Sequence, residues 1–282
     1  MEQTHKIKNL ICGPFVGELG WELLSWQPLC RRYFIEAKPE RAIVYTKPGR
    51  KLLYQFAEVR EHGLPDYESE CNAWHDLPKH LDEFKKAIAD LKEEAKKLNN
   101  CALFSPETIK KLNEMMWERG SPDLLHGDEK LAENKVGGLR NFVCLCVRDR
   151  EMSDFRNLPY ENWMELAERL MEIGWPVVFV GAIRNPADWK PPAGSIDLAG
   201  RTTIDECLSV IARARLAVGG SSGLLHLASR VGVDHLVWGD SNTTLRYHET
   251  NWFGCRVKYL PTGWRPRIED LFAATRKMLE ES

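Results

Sequence analysis

Residues 195–239, SIDLAGRTTIDECLSVIARARLAVGGSSGLLHLASRVGVDHLVWG, decide the fold. They read as a strand, a helix, an apolar strand at Leu216 to Val218, a small-residue turn, a second helix over about Leu224 to Arg230 and another strand. The turn is Gly219-Gly220-Ser221-Ser222-Gly223, placed where strand hands over to helix. A helix start leaves backbone N–H groups unpaired and carries partial positive charge, so it suits a phosphate. Glycines let the chain approach closely, and the hydroxyls of Ser221 and Ser222 add donors.

Outward from this stretch the same grammar repeats. Downstream, Ile268 to Glu280 makes a closing helix. Upstream, a strand at Phe142–Val147 leads through a polar loop to a helix at Tyr160–Glu172 and a strand at Pro176–Gly181. The first half opens as βαβα: an apolar strand over Lys8–Phe15, a helix through about Tyr33, a strand at Arg41–Thr46 and a helix over Lys51–Val59. A charged helix is expected at Lys79–Asn99, with Leu81, Phe84, Ile88, Leu91 and Ala95 on its apolar side, and a short one over Pro106–Glu118. Strands alternating with helices argue for parallel, doubly wound α/β sheets. The polar, Gly-containing stretch 120–140 reads as a linker. That gives domains of residues 1–136 and 137–282, both Rossmann-like.

With 282 residues the chain is long enough for two cores. A formal charge of -2 gives no global attraction to nucleic acid or membrane, although the first sixty residues are locally basic. The amino terminus reads as polar rather than as a signal, and no apolar run approaches the ~18 residues that span a bilayer. An integral membrane segment is therefore not expected. The eight cysteines form no CxxC pair; Cys144 and Cys146, two apart on a strand, read as small buried hydrophobes of a reduced, cytoplasmic protein. No G-x-G-x-x-G follows the first strand of either half, which excludes the usual dinucleotide fingerprint. No Asp-x-Asp pair occurs, which argues against a donor held through a carboxylate-bound metal.

Four segments, in order, resemble the carboxy-terminal domain of the heptosyltransferase-type glycosyltransferases, glycosyltransferase family 9. Arg156-Asn157-Leu158-Pro159-Tyr160-Glu161-Asn162-Trp163 is similar to the family's basic-x-x-Pro-x-x-x-Trp segment. Trp175-Pro176-Val177-Val178 resembles its next strand, and Asp197-Leu198-Ala199-Gly200-Arg201-Thr202-Thr203 its D-L-T-G-x-(S/T)-(S/T) stretch. Ser221-Ser222-Gly223-Leu224-Leu225-His226-Leu227 resembles its D-(S/T)-G-x-x-H-L signature, with Ser221 where the family has Asp. In the first half, Gly17-Glu18-Leu19-Gly20-Trp21-Glu22 stands where the family has a Gly-Asp loop ahead of a Pro-bearing helix.

The resemblance implies a GT-B enzyme: two Rossmann-like domains facing across a cleft, with nucleotide-sugar donor on the carboxy-terminal one and acceptor and base on the other. It implies an inverting glycosyltransferase without cofactor or metal, its nucleotide-diphosphate sugar being a co-substrate. Glu18 is the counterpart of the family's catalytic base, with Glu22 as rival. Either carboxylate also complements a helix dipole. Donor binding falls to Arg156, Arg148, Ser221, Ser222, Gly223 and His226; the serines also read as helix caps and His226 as a packed residue. Trp21, Tyr247 and His248 are candidate sugar or acceptor contacts, against core packing for the first and a surface loop for the others. Asp205 and Glu206 read first as a capping pattern behind Thr203. The acceptor is a glycan or lipid-linked saccharide, or a hydroxymethylated base in DNA. A non-catalytic nucleotide-binding protein of the same fold is the remaining alternative, favoured by Ser221.

Overall fold

The structure, a computed structural model, describes residues 6–64, 81–105, 124–240 and 254–281. The chain forms two compact units, Met1–Pro122 and Asp123–Ser282. The division expected at residue 136 thus falls earlier. The stretch read as a linker contains helix α4 (Glu129–Val136), capped by Asp128, whose carboxylate accepts from Leu131 N, and closed at Gly137. Arg213 fixes it to the second unit through Glu129 at 2.6 Å, Glu133 and the Gly137 carbonyl. Polar composition hid a helix whose polar side chains are used in a clamp.

In the first unit, strands β1 (Asn9–Cys12), β2 (Arg41–Thr46), β3 (Glu58–Glu61) and β4 (Cys101–Phe104) pair in the order β3-β2-β1-β4, all parallel. β1 is shorter than the Lys8–Phe15 run suggests. It ends at Gly13, which takes φ +125°, where a Cβ would lie 2.6 Å from the Tyr45 carbonyl oxygen. Beyond it the chain becomes helical at α1 (Leu19–Trp21), widens to a π-helical turn over Glu22–Trp26, and continues as α2 (Gln27–Ala37). Pro28 has no N–H for the Leu24 carbonyl, which accounts for the widened turn before it. The helix expected over Lys51–Val59 is only a 3₁₀ turn, Lys51–Tyr54, before β3 begins. Glu58-Val59-Arg60-Glu61 joins β2 in register Ile43↔Glu58, so sheet pairing overrides local helix preference.

Helix α3 (Leu81–Lys97) covers one face of this sheet. Phe84 and Ile88 pack with Val16, and Leu91 packs with Ile11 of β1 and Ile43 of β2, as its apolar spacing requires. The helix expected over Pro106–Glu118 lies outside the described residues.

The second unit matches its sequence reading closely. Strands β5 (Val143–Arg148), β6 (Val177–Ala182), β7 (Ile196–Asp197), β8 (Leu216–Gly220), β9 (His235–Trp238) and β10 (Val257–Leu260) run parallel in the order β10-β9-β8-β5-β6-β7. Helices α5 (Tyr160–Glu172), α6 (Ile204–Ile211), α7 (Gly223–Arg230) and α8 (Ile268–Glu280) cover the faces. Val143, Leu145, Phe179, Val218 and Leu236 share one core with Trp163, Leu166 and Leu271. Cys144 and Cys146, which alternate with these residues along β5, are buried free thiols, the small hydrophobes expected. Burying such continuous apolar strands on both faces is what a parallel sheet needs. The order reverses between β5 and β8, where ligands of open α/β sheets bind beyond the strands' carboxyl ends.

Candidate active site

In the first unit the loop after β1 places two carboxylates in different settings. Glu18 is the extended residue ahead of α1, partly exposed, and its side chain does not cap that helix. Glu22, one turn on, is fully buried. It accepts hydrogen bonds from Thr46 Oγ1 at 2.8 Å and Tyr54 Oη at 2.6 Å, and pairs with Arg50 Nη1. These donors come from the end of β2 and the 3₁₀ turn after it, so Glu22 ties that segment to the first helix. Arg50 stands as the charge partner of this enclosed carboxylate.

Trp26 is also core, stacked between Phe15 at 5.8 Å and Phe104 at 4.9 Å. Trp21 is only partly buried. Two residues not singled out from the sequence stand near this loop: Lys47, buried at the end of β2, and His62, just past β3. His62 Nε2 donates to the Phe15 carbonyl at 2.9 Å. Burial pushes its pKa down, and the charges of Lys47 and Arg50 push the same way against the Phe15 carbonyl and Glu22. Only their position at the carboxyl ends of strands signals them, and Lys47-Pro48-Gly49-Arg50 reads from sequence simply as a turn.

In the second unit the Gly219–Gly223 turn lies at the carboxyl end of β8. Ser221 N donates to the Trp238 carbonyl at 2.8 Å, holding the turn against β9. Gly219 is required by packing, since a Cβ there would lie 2.6 Å from Leu225 Cδ2 and 2.9 Å from the Cys146 carbonyl. Ser222 precedes α7 without capping it by its side chain. Ser221 is 1% exposed, and its hydroxyl is buried with no hydrogen-bond partner among the described residues. His226 N bonds back to the Ser222 carbonyl, so the N–H groups of Gly223, Leu224 and Leu225 precede the helix's own ladder. His226 itself is buried one turn in.

Arg156 closes the 3₁₀ turn Asp154–Arg156 in the loop after β5. Its Nη2 donates to the Ser221 carbonyl, which brings the guanidinium to the head of α7. Arg148, at the end of β5, is directed into its own loop. Nη1 donates to the Ser153 carbonyl at 3.0 Å and to Asn157 Oδ1, and Nη2 to the Met152 carbonyl at 2.6 Å. Asn157 in turn donates to the Arg150 carbonyl at 2.8 Å. Glu206 forms the expected capping box with Thr203 and an ion pair with Lys135 at 3.0 Å. Tyr247 and His248 lie outside the described residues. Among the described residues, no group of three or more His, Cys, Asp or Glu is placed to hold a metal, and no helix is long and apolar enough to cross a membrane.

Two parallel α/β units, the second with a small-residue turn and an arginine at its switch point, have the architecture of GT-B glycosyltransferases. The model of glycosyltransferase family 9 (heptosyltransferase) matches residues 77–241, more than half of the chain, and the chain belongs to that family. No curated protein sequence matches it. Among solved structures, the family 9 glycosyl transferase from Veillonella parvula DSM 2008 aligns at a TM-score of 0.62 and 11% identity, over 100% of this chain and 99% of its own. The ADP-heptose lps heptosyltransferase II of E. coli aligns at 0.61 and 19% identity, over 98% and 100%. The E. coli heptosyltransferase WaaC, solved with ADP-2-deoxy-2-fluoro heptose, aligns at 0.56 and 14%, over 97% and 99%. At such identities the likeness is one of fold.

Proposed function

We propose that the chain transfers a sugar from a nucleotide-diphosphate sugar to a hydroxyl of a saccharide acceptor, with inversion and without a metal ion, in the cytoplasm. The observation that carries this reading is the contact of Arg156 with the Ser221 carbonyl. It sets a permanent positive charge beside the first N–H groups of a helix, the arrangement a diphosphate needs. Gly223, Ser222 and the Ser221 hydroxyl complete the donor turn, and His226 lies behind it.

Glu18 is the base. Its carboxylate takes the acceptor's hydroxyl proton as that oxygen attacks the anomeric carbon. The bond from that carbon to the diphosphate oxygen breaks, and its electron pair leaves with the diphosphate. Arg156 and the α7 N–H groups meet the charge that grows there. With no Asp-x-Asp pair in the sequence, these fixed donors take the place that a carboxylate-bound metal would have. Glu22, enclosed by Thr46, Arg50 and Tyr54, is read as structural, and Trp21 as the aromatic surface offered to an acceptor.

The test is thermal shift with ADP, GDP, UDP and their sugars. A ligand that binds only the folded state raises the midpoint according to its concentration over Kd. One nucleotide is expected to stabilise the wild type and to do so much less with Arg156→Ala. No shift by any of them at millimolar concentration would refute the donor site.

A further inference from the structure

The loop between β10 and α8, Pro261-Thr262-Gly263-Trp264-Arg265-Pro266-Arg267, takes no part in the reading so far. β10, β8 and β5 are parallel members of one sheet, so the loops following them leave from the same end. That topology brings Trp264 to the loop that carries Arg156. The Arg156 guanidinium carbon lies over the Trp264 ring, 4.3 Å from its centroid, and Phe155 meets the same ring edge-on at 6.3 Å. The indole is anchored on its own side: Gly263 turns the chain at φ +71°, and α8 begins four residues after Trp264 with Ile268 and Leu271 in the core.

We propose that Trp264 is a positioning residue for donor binding. It holds the Arg156 guanidinium against its π-face, so that the same group reaches the Ser221 carbonyl and faces the head of α7. This rests on the donor-site reading above. A cation over an indole face gains electrostatic attraction without surrendering all of its N–H donors, so the clamp leaves Arg156 able to bind phosphate. An arginine fixed in advance loses less rotamer freedom when the diphosphate arrives. Phe155, 55% exposed, braces the ring from the loop that bears Arg156.

The test is a double-mutant cycle read by the dissociation constant of whichever of ADP, GDP or UDP binds tightest. Trp264→Leu should weaken binding about tenfold, the size of a desolvated cation–π contact. Trp264→Phe, which keeps a π-face, should lose no more than about threefold. In an Arg156→Ala background the same Trp264 changes should add nothing, because the group being positioned is gone. Should Trp264→Leu not fold, the cycle is run with Trp264→Phe at its smaller amplitude. Equal losses with and without Arg156, no loss at all, or no rescue by Phe relative to Leu would each overturn the proposal. If Arg156→Ala binds as the wild type does, the donor-site reading itself fails and takes this inference with it.

Discussion

In the second unit the guanidinium of Arg156 donates to the backbone carbonyl of Ser221, 65 residues further along the chain. The two residues belong to loops after neighbouring strands, β5 and β8, on either side of the point where strand order reverses. The contact links a cation of the β5 loop to the small-residue turn that starts α7. Ser221 has no carboxylate to neutralise that cation, so the backbone carbonyl is its anchor at the turn.

Arg148 should govern whether Arg156 arrives there. Its donors to Met152, Ser153 and Asn157 fold the β5 loop into the shape that ends at Arg156. Arg148→Ala should weaken nucleoside diphosphate binding by about tenfold, and the loss should nearly vanish in an Arg156→Ala background, since coupled residues are not additive. Titration calorimetry of the four proteins measures this. Undiminished loss in the Arg156→Ala background would mean that Arg148 contacts the ligand itself.

Glu22 should behave as a stability residue. Removing one partner of a buried ion pair leaves the other charge stranded, at a cost of about 3–5 kcal/mol. Glu22→Ala and Arg50→Ala should each lower the denaturation midpoint of the first unit strongly. The double variant should be less destabilised than the sum of the two, because neither charge is then left alone. Chemical denaturation followed by a probe in the first unit gives these values.

His235, buried at the start of β9, should make the second unit acid-sensitive. Its Nδ1–H donates to the Val233 carbonyl at 3.0 Å and its Nε2 accepts from Ser229 Oγ at 3.1 Å, the bonds of a neutral ring. Burial pushes its pKa down to about 4, with the Val233 carbonyl and the Asp234 charge opposing. An unfolded histidine titrates near ~6.5, so between those values the unfolded chain takes up a proton the folded unit refuses. Stability from this group is therefore full above about pH 6.5, declines as pH falls and bottoms out below about pH 4, for a total of about 3 kcal/mol. Midpoints measured from pH 7 to 4 should fall less steeply for His235→Gln than for the wild type. Parallel curves would contradict this assignment.

The sequence was most legible where period and punctuation agree. Tyr160–Glu172 and Ile268–Glu280 occur with the expected bounds, and Thr203 and Glu206 form the capping box their spacing announces. The turn at Gly219–Gly223 was equally readable, because strand, small residues and helix follow one another without interruption. Glu58–Glu61 was not, since only its partner β2 makes a strand of it. Nor was α4, whose stability comes from Arg213, nearly eighty residues away. Glu18 and Glu22 differ by one turn in sequence; the enclosure of Glu22 by Thr46, Arg50 and Tyr54 depends on pairing between β1 and β2. Trp264 carried no local signal because its partner lies across the sheet.

Turnover decides whether Glu18 serves as the base and Arg156 as the donor cation. With the nucleotide sugar found to bind, released nucleoside diphosphate and transferred sugar would be followed by mass spectrometry for the wild type, Glu18→Gln, Glu18→Asp and Arg156→Ala. The wild type should turn over, Glu18→Gln should lose at least about a hundredfold with donor affinity unchanged, and Glu18→Asp should keep partial activity, since a positioned base contributes about 10²–10⁴ in rate. Arg156→Ala should lose donor affinity. Glu18→Gln turning over at the wild-type rate would contradict the assignment of the base, and a wild type that binds the donor but never transfers or hydrolyses it would contradict the enzyme.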